Sequence, residues 1–219
     1  MMTTVGVMLS GCGVFDGSEI HEAVLTMLEL DRHGCKIVLM APDMTQMHVI
    51  NHRNGEIMAG EERNCLTEAA RIARGEISCL DDVNVDELDA LVLPGGFGAA
   101  KNLSDFAVAG TQAIVDPDVA RMIKRVHENG KPIVAVCIAP AVVACALGKE
   151  GPEVTIGNDQ GTADAIESFG ARHVVCPVAS FHVDHKLKII STPAYMLGKR
   201  ISEVHEGIAN TIRELMKMI

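Results

Sequence analysis

Short apolar runs alternate with longer segments of helical period along most of the chain. The runs are rich in Val, Ile and Leu, and they cover residues 5–9, 36–40, 90–93 and 132–136. Near-continuous hydrophobicity of this kind is what a strand buried on both faces requires. The alternation predicts an α/β fold in which a mostly parallel central sheet carries helices on both faces.

Two of the segments with helical period have one apolar face and one polar face. Residues 117–129 repeat apolar side chains at i, i+3, i+4 and i+7 and are followed by Gly130, which predicts an amphipathic helix. The segment from Tyr195 onwards repeats apolar residues in the same way, so we expect a C-terminal helix docked on the sheet. No linker or repeat divides the chain, and residues 1–219 are therefore predicted to form a single domain.

Two regions depart from this regular alternation. Residues 174–182 and 187–191 predict a pair of strands around a polar turn at 183–186, hence a hairpin near one edge of the sheet. Residues 44–80 are the least periodic, and they are interpreted as an insertion that holds one helix near 63–74.

Charge and cysteine usage narrow the class of partner. The chain has 29 acidic and 19 basic residues, a net charge of −10, which disfavours nucleic acids and anionic membranes as partners. Its seven cysteines are scattered without a CxxC pair, which favours reduced thiols and a cytoplasmic location and argues against a cysteine zinc site. The opening MMTTVGVMLSG lacks a basic region and is interpreted as a first strand, so neither a signal peptide nor a membrane span is expected.

Three loops at strand ends are candidates for the functional site. In an open parallel sheet, ligands collect at the carboxyl ends of the strands. The first loop, SGCGVFDGSEIHEA, begins like a dinucleotide fingerprint, but Asp16 occupies the position of its third glycine. No nucleotide cofactor is therefore expected. His182 and His185 flank the hairpin turn and are interpreted as polar residues of a turn and not as metal ligands, so no metal is expected.

Cys137 is the candidate nucleophile. It follows the apolar run 132–136 and precedes residues 140–147, which have helical composition, so it lies where a strand turns into a helix. Amides and a helix N-terminus directed at the sulfur lower the pKa of a thiol and make it nucleophilic. Spacing alone leaves open the alternative that Cys137 is a small core residue, because buried cysteines are common.

Two other loops supply candidate partners for this thiol. Gly95 and Gly96, in LPGGFG, allow backbone N–H groups to approach a ligand as an oxyanion hole requires, although a tight turn has the same composition. In the first loop, Asp16 and Glu19 have the spacing of a capping box, which explains Glu19. Glu22, one turn further on, is a candidate proton carrier or a solvated helix residue.

Several long blocks of the chain resemble one protein family. SGCGVFDGSEIHEAV, VINHRNGE, EAARIARGEI, LDALVLPGGFGAAKNLSDFA, GKPIVAVCIAPA and STPAYML are similar to the ElbB family, also called isoprenoid biosynthesis glyoxalase. This family belongs to the PfpI-like superfamily of the class I glutamine amidotransferase-like fold. The resemblance implies a flavodoxin-like, three-layer α/β/α sandwich and usually a homodimer.

The resemblance also implies roles for individual residues. Cys137 matches the nucleophile, Gly95 and Gly96 match the oxyanion loop with help from the Ile138 amide, and Glu22 matches the superfamily's glutamate, with Glu19 as the open alternative. Protease-like and amidotransferase relatives often have a histidine directly after the nucleophile, whereas Ile138 stands there in this chain. This departure argues against hydrolysis of peptides or glutamine.

The leading functional hypothesis is therefore a glyoxalase that needs no cofactor. It converts methylglyoxal or glyoxal, a small reactive aldehyde, into a 2-hydroxy acid through a hemithioacetal on Cys137. The alternative is a regulatory protein that uses Cys137 as an oxidation sensor, because an accessible thiol beside a carboxylic acid also stabilises a sulfinic acid. An amidotransferase-like subunit is the least favoured hypothesis.

Overall fold

The computed structural model describes residues 2–219. The strands are β1 (Thr4–Met8), β2 (Lys36–Ala41), β3 (Ile50–Asn51), β4 (Glu56–Ile57), β5 (Ser78–Cys79), β6 (Ala90–Leu93), β7 (Ile133–Val136), β8 (Glu153–Val154), β9 (Arg172–His173), β10 (His182–Asp184) and β11 (Ile189–Thr192). The α-helices are α1 (Ile20–Arg32), α2 (Cys65–Ile72), α3 (Phe97–Lys101), α4 (Phe106–Ala109), α5 (Pro117–Glu128), α6 (Ala139–Leu147), α7 (Gln160–Ser168) and α8 (Ile201–Met218).

The central sheet has seven strands in the order β10-β11-β7-β6-β1-β2-β5. All neighbouring pairs are parallel except β10 and β11, which form an antiparallel hairpin at one edge. The predicted α/β fold with a mostly parallel central sheet is thus confirmed. From β1 the chain first adds β2 on one side and later adds β6 on the other, so the order of addition reverses between β1 and β6. Such a switch point opens a crevice at the carboxyl ends of the strands.

The sheet is buried on both faces, as its apolar runs require. In β6, Leu91 and Leu93 face one core, and Ala90 and Val92 face the other. Helices α3 to α7 cover the first face, and α1, α2 and α8 cover the second. Each side of the sheet therefore has its own apolar layer.

The amphipathic helices predicted from the sequence are confirmed. Helix α5 begins at Pro117, where the fixed φ of proline suits the first turn, and Asp116 caps its amides. The C-terminal segment forms α8, whose buried face packs on the second side of the sheet. Among residues 2–219, no helix is both long enough and apolar enough to cross a bilayer.

The expected edge hairpin exists, but its first strand is shorter than predicted. Only residues 182–184 pair with β11, and residues 174–181 form no strand. Pro177 lies within that stretch and has no N–H for a sheet ladder, which explains why the prediction of a strand over 174–182 is largely wrong.

The insertion at residues 44–80 holds more than the one helix expected. Helix α2 lies in the predicted place, and the β3–β4 hairpin and the edge strand β5 accompany it. These strands have two residues each, which is too short for any periodicity to appear in the sequence.

Candidate active site

The crevice between β1 and β6 brings two loops into direct contact. Backbone N–H groups of Glu19, Phe97 and Gly98 donate to the carbonyl oxygens of Gly95, Val14 and Gly17, at 2.9, 2.7 and 2.9 Å. A Cβ atom at position 98 would lie 2.5 Å from backbone atoms of Gly17, so this approach needs a glycine. The first turn of α1 is thereby held against the glycine loop that follows β6.

Cys137 occupies a sharp turn between β7 and α6. Its φ is +64°, a conformation that costs a residue with a side chain about 1–3 kcal/mol and is concentrated at functional sites. Its own N–H donates to the carbonyl of Thr192 at 2.9 Å, which ties the turn to the end of β11. The residue is 8% exposed and lines a cavity. The alternative that Cys137 is only a small core residue is therefore wrong.

Two backbone amides, one at the start of α6 and one in the loop after β6, are directed at the cysteine sulfur. No side chain caps α6, whose N-cap position is taken by Ile138. The N–H groups of Ile138 and of Gly96 point at the Cys137 sulfur. These two amides are positioned to stabilise negative charge on the sulfur or on an oxygen bonded next to it.

Glu22 is the glutamate that contacts the thiol. Its side chain is fully buried and hydrogen-bonds the Cys137 sulfur. The N–H of Gly95 donates to Oε2 and the N–H of Tyr195 donates to Oε1, both at 3.1 Å. Burial raises the pKa of Glu22 to about 8, the Tyr195 amide opposes that shift, and the nearby Glu19 adds to it. Glu22 is therefore mostly a neutral acid at pH 7.

Glu19 has a different position from the one its spacing suggested. Helix α1 begins at Ile20, and Glu19 is its N-cap, with Oε2 accepting from the N–H of Glu22 at 2.7 Å. The predicted capping box that starts at Asp16 is wrong. Asp16 instead accepts from the N–H of Ile50 at 2.7 Å, because the chain makes a tight turn at Gly17 before the helix begins.

Gly95 also differs from its predicted role. Its N–H is bound to Glu22, so it does not point at a site for an oxyanion. A Cβ at this position would lie 2.5 Å from Glu22 Oε2 and 3.0 Å from Cys137 Sγ. The glycine is needed for the close approach of thiol and carboxyl, and Gly96 and Ile138 provide the amides that face the sulfur.

The expected fall in the pKa of Cys137 is wrong in direction. Burial raises the pKa of this thiol well above its ordinary value, and Glu22 raises it further while the Gly96 and Ile138 amides lower it. Because both acids are buried and in contact, their first ionisation, near pH 8, leaves one proton that the pair shares. This singly charged pair is the form able to attack an electrophile.

The sulfur faces a cavity of about 360 Å³ whose walls are mostly apolar. Sequence reasoning missed several of its lining residues, namely Phe106, Asp159, Tyr195 and Met196. Tyr195 and Met196 follow β11, whose carboxyl end lies at the same edge of the sheet. Their position in STPAYML, directly after a predicted strand, could therefore have indicated that they lie at the site. Nothing in the sequence indicated the same for Phe106 on α4 or for Asp159 before α7.

One of the two histidines at the hairpin, His182, makes a structural contact. His182 Nε2 lies 3.1 Å from Glu153 Oε2 and braces β10 against β8. Within residues 2–219, no cluster of three His, Cys, Asp or Glu side chains is arranged to hold a metal ion.

Comparison with known proteins identifies the family. Residues 12–175 match the DJ-1/PfpI family. The chain belongs to this family. A human relative named glutamine amidotransferase-like class 1 domain-containing protein 3, mitochondrial, is 46% identical over 98% of this chain and 82% of its own length. A crystal structure of an isoprenoid biosynthesis protein with an amidotransferase-like domain from Ehrlichia chaffeensis is 40% identical, covers 99% of each chain and has a TM-score of 0.92.

A shorter match concerns a protein whose name states an activity. A Thermococcus kodakarensis protein named a deglycase is 37% identical over 90 residues, which cover 39% of this chain and 47% of that protein. Three curated relatives that match nearly the whole chain, from human, rat and zebrafish, are named mitochondrial proteins. The expectation of a cytoplasmic location is therefore wrong.

Proposed function

We propose that this DJ-1/PfpI protein is a glyoxalase that converts methylglyoxal or glyoxal into a 2-hydroxy acid without a cofactor. One observation carries the proposal: the thiol of Cys137, which lines the cavity, contacts the buried carboxyl of Glu22 and faces the backbone amides of Gly96 and Ile138. That set supplies a nucleophile, a proton carrier and an oxyanion site, which are the groups that the conversion of an oxoaldehyde requires.

The reaction begins at the sulfur. Cys137 gives its proton to the Glu22 carboxylate as its sulfur bonds to the aldehyde carbon. The resulting oxyanion is stabilised by the amides of Gly96 and Ile138, and Glu22 then protonates it. The product of this step is a hemithioacetal.

Glu22 next moves a proton between the two carbons. As a carboxylate it removes the hydrogen from the former aldehyde carbon and passes that proton to the ketone oxygen, which gives an enediol. It then takes the proton of the hydroxyl on the sulfur-bearing carbon and delivers a proton to the neighbouring carbon. The first carbon is now a thioester and the second an alcohol. Water releases the 2-hydroxy acid and restores the thiol, so that one carbon is oxidised and the other reduced without an external oxidant.

The comparisons support the general type of chemistry proposed here and not the particular reaction. Membership of the DJ-1/PfpI family and the partial match to a protein named a deglycase are consistent with a deglycase-type or glyoxalase-type role. The narrower assignment to the ElbB family is part of this proposal and draws on the name of the Ehrlichia structure, since the curated relatives carry other names. Among the described residues that line the cavity none is a histidine, which argues against an amidotransferase.

The test is lactate formation from methylglyoxal in the absence of glutathione. We expect the wild-type protein to form lactate, and Cys137→Ala to lower the rate by about a hundredfold or more. Cys35→Ala is the matched control, because that cysteine is half-buried beside Met216 and does not line the cavity. Lactate formation that survives in Cys137→Ala would remove the mechanism.

A regulatory role is the second candidate, and one observation favours it. The neutral Glu22 acid beside the sulfur is able to donate a hydrogen bond to a sulfinate oxygen. Mild peroxide followed by peptide mass spectrometry distinguishes the two functions. Selective oxidation of Cys137 in a protein that forms no lactate would support the sensor over the glyoxalase.

A further inference from the structure

The cavity at Cys137 is much larger than the reaction itself requires. Its volume of about 360 Å³ falls in the range of roughly 300–1,000 Å³ that is typical of pockets for drug-sized ligands. The chemistry consumes only two adjacent carbonyl carbons, which lie at the sulfur. Methylglyoxal adds a single methyl group to them, so most of the cavity is available for a larger substituent.

The lining of the cavity suits an apolar substituent. It includes Phe97, Phe106, Met196 and the small Ala107. The Phe106 ring is fixed by an edge contact with Phe169, at 6.2 Å between ring centroids. A fixed aromatic edge and a flexible thioether are favourable neighbours for an aromatic or branched group.

The charged lining residues are both acidic. Glu19 is the N-cap of α1 and Asp159 is the N-cap of α7, where hydrogen bonds from Thr162 lower the pKa of Asp159. The cation beside the Phe97 ring, Lys101, donates to the carbonyl of Phe15 at 2.7 Å and does not line the cavity. An anionic substituent would meet two carboxylates and no compensating cation in this wall.

We infer that this site takes 2-oxoaldehydes whose ketone carbon carries a bulky, uncharged apolar group, such as an aryl or branched alkyl group. Phe106 and Met196 select for the apolar group, and Asp159 selects against a negative charge. The inference rests on the proposed function and specifies its substrate class. The reaction stays balanced: the aldehyde carbon is oxidised to a carboxylate, the ketone carbon is reduced to an alcohol, and water supplies the added oxygen.

The first experiment compares phenylglyoxal with methylglyoxal. Mandelate and lactate are measured directly, because arginine side chains consume dicarbonyls without forming these acids. We expect kcat/KM for phenylglyoxal to exceed that for methylglyoxal by about tenfold or more. The inference is overturned if methylglyoxal is the better substrate.

Variants of one short helix locate the selectivity. Ala107→Phe adds an aromatic ring at a residue that lines the cavity, and we expect it to lower the phenylglyoxal-to-methylglyoxal ratio of kcat/KM about tenfold. Val108→Phe is the control on the same helix, since Val108 is 67% exposed and does not line the cavity; its ratio should equal that of the wild type. An unchanged ratio in Ala107→Phe contradicts the inference.

The charge argument has a test of its own. Asp159→Asn keeps a residue that caps helices well, and Asp159 is the N-cap of α7. With 4-carboxyphenylglyoxal as the anionic probe, we expect this variant to raise kcat/KM, relative to phenylglyoxal, by about fivefold. No change in that relative value would show that Asp159 does not select against charge.

A binding measurement separates this inference from the proposed function. Acetophenone has the aryl ketone but no aldehyde, so its occupancy of the cavity is read from protection of Cys137 against iodoacetamide. Protection by acetophenone and not by acetone, weakened in Ala107→Phe, supports the ligand class even in a protein that turns over neither aldehyde. In that case only the glyoxalase proposal fails. Equal protection by the two ketones overturns the inference.

Discussion

At the scale of single residues, the site depends on two buried acids in contact. Glu22 is fully buried and Cys137 is 8% exposed, and burial disfavours the charged form of each. Two anions side by side would be more costly still, so the pair keeps one proton above pH 8. The amides of Gly95 and Tyr195 hold Glu22, while those of Gly96 and Ile138 face the sulfur. Each backbone donor therefore has its own acceptor.

The sequence located some of these residues and not others. Cys137 and Gly95 were predictable, because an apolar run that ends in a cysteine or a glycine pair marks a strand end. Glu22 could not be separated from Glu19, because the choice depends on where α1 begins, and that is decided by the turn at Gly17. Desolvation of Cys137 was not predictable either, since it depends on side chains from distant segments.

Gly95→Ala tests whether the thiol and the carboxyl need their close approach. The added methyl group would overlap Cys137 and Glu22, so we expect lactate formation to fall about a hundredfold and stability to fall by about 1–3 kcal/mol. Gly161→Ala is the matched control, because a Cβ there meets only an atom 3.8 Å away. The account is contradicted if Gly95→Ala is as active as the wild type.

At the scale of elements, Asn102 links the loop after β1 to the insertion. It lies directly after α3 and is 2% exposed. Its Nδ2 donates to the carbonyls of Ser10 and Asp16, both at 2.8 Å, and its Oδ1 accepts from the N–H of Met47 at 3.0 Å. One side chain thus orients the loop that leads into α1, and through it the position of Glu22.

Asn102→Ala removes those three bonds at once. Buried backbone groups left without partners cost about 1–3 kcal/mol each before relaxation, so we expect the free energy of unfolding in urea to fall by about 3 kcal/mol. Asn129→Ala, at an exposed site with one hydrogen bond to Asp86, should change it by less than about 1 kcal/mol. Similar values for the two variants would show that Asn102 does not have this role.

At the scale of the whole molecule, the fold class followed from the sequence and the strand order did not. Continuous apolar runs such as those of β6 and β7 require burial on both faces, which is possible in a parallel sheet covered by helices. The same pattern does not tell which strands are neighbours. The cavity combines residues of the β1 and β6 loops, α4, the start of α7 and the loop after β11, so its shape was not predictable without that order. The homodimer stays a prediction.

The shared proton of Cys137 and Glu22 is the central claim, and the pH profile of Cys137 alkylation tests it most directly. Iodoacetamide reacts with the thiolate, and peptide mass spectrometry follows residue 137 alone. For the wild type we expect the rate to rise with a midpoint near the pKa of Glu22, about 8. In Glu22→Gln the proton acceptor is lost, and the charge of Glu22 no longer raises the pKa of the thiol. Burial, the larger cause, still holds that pKa above its ordinary value, so the midpoint should move up from about 8 by about one unit or more.

Glu206→Gln, on the exposed side of α8, is the control and should reproduce the wild-type profile. A wild-type midpoint near 8 that moves upward only in Glu22→Gln is the result the account predicts. A midpoint that is unchanged or lower in Glu22→Gln would contradict it.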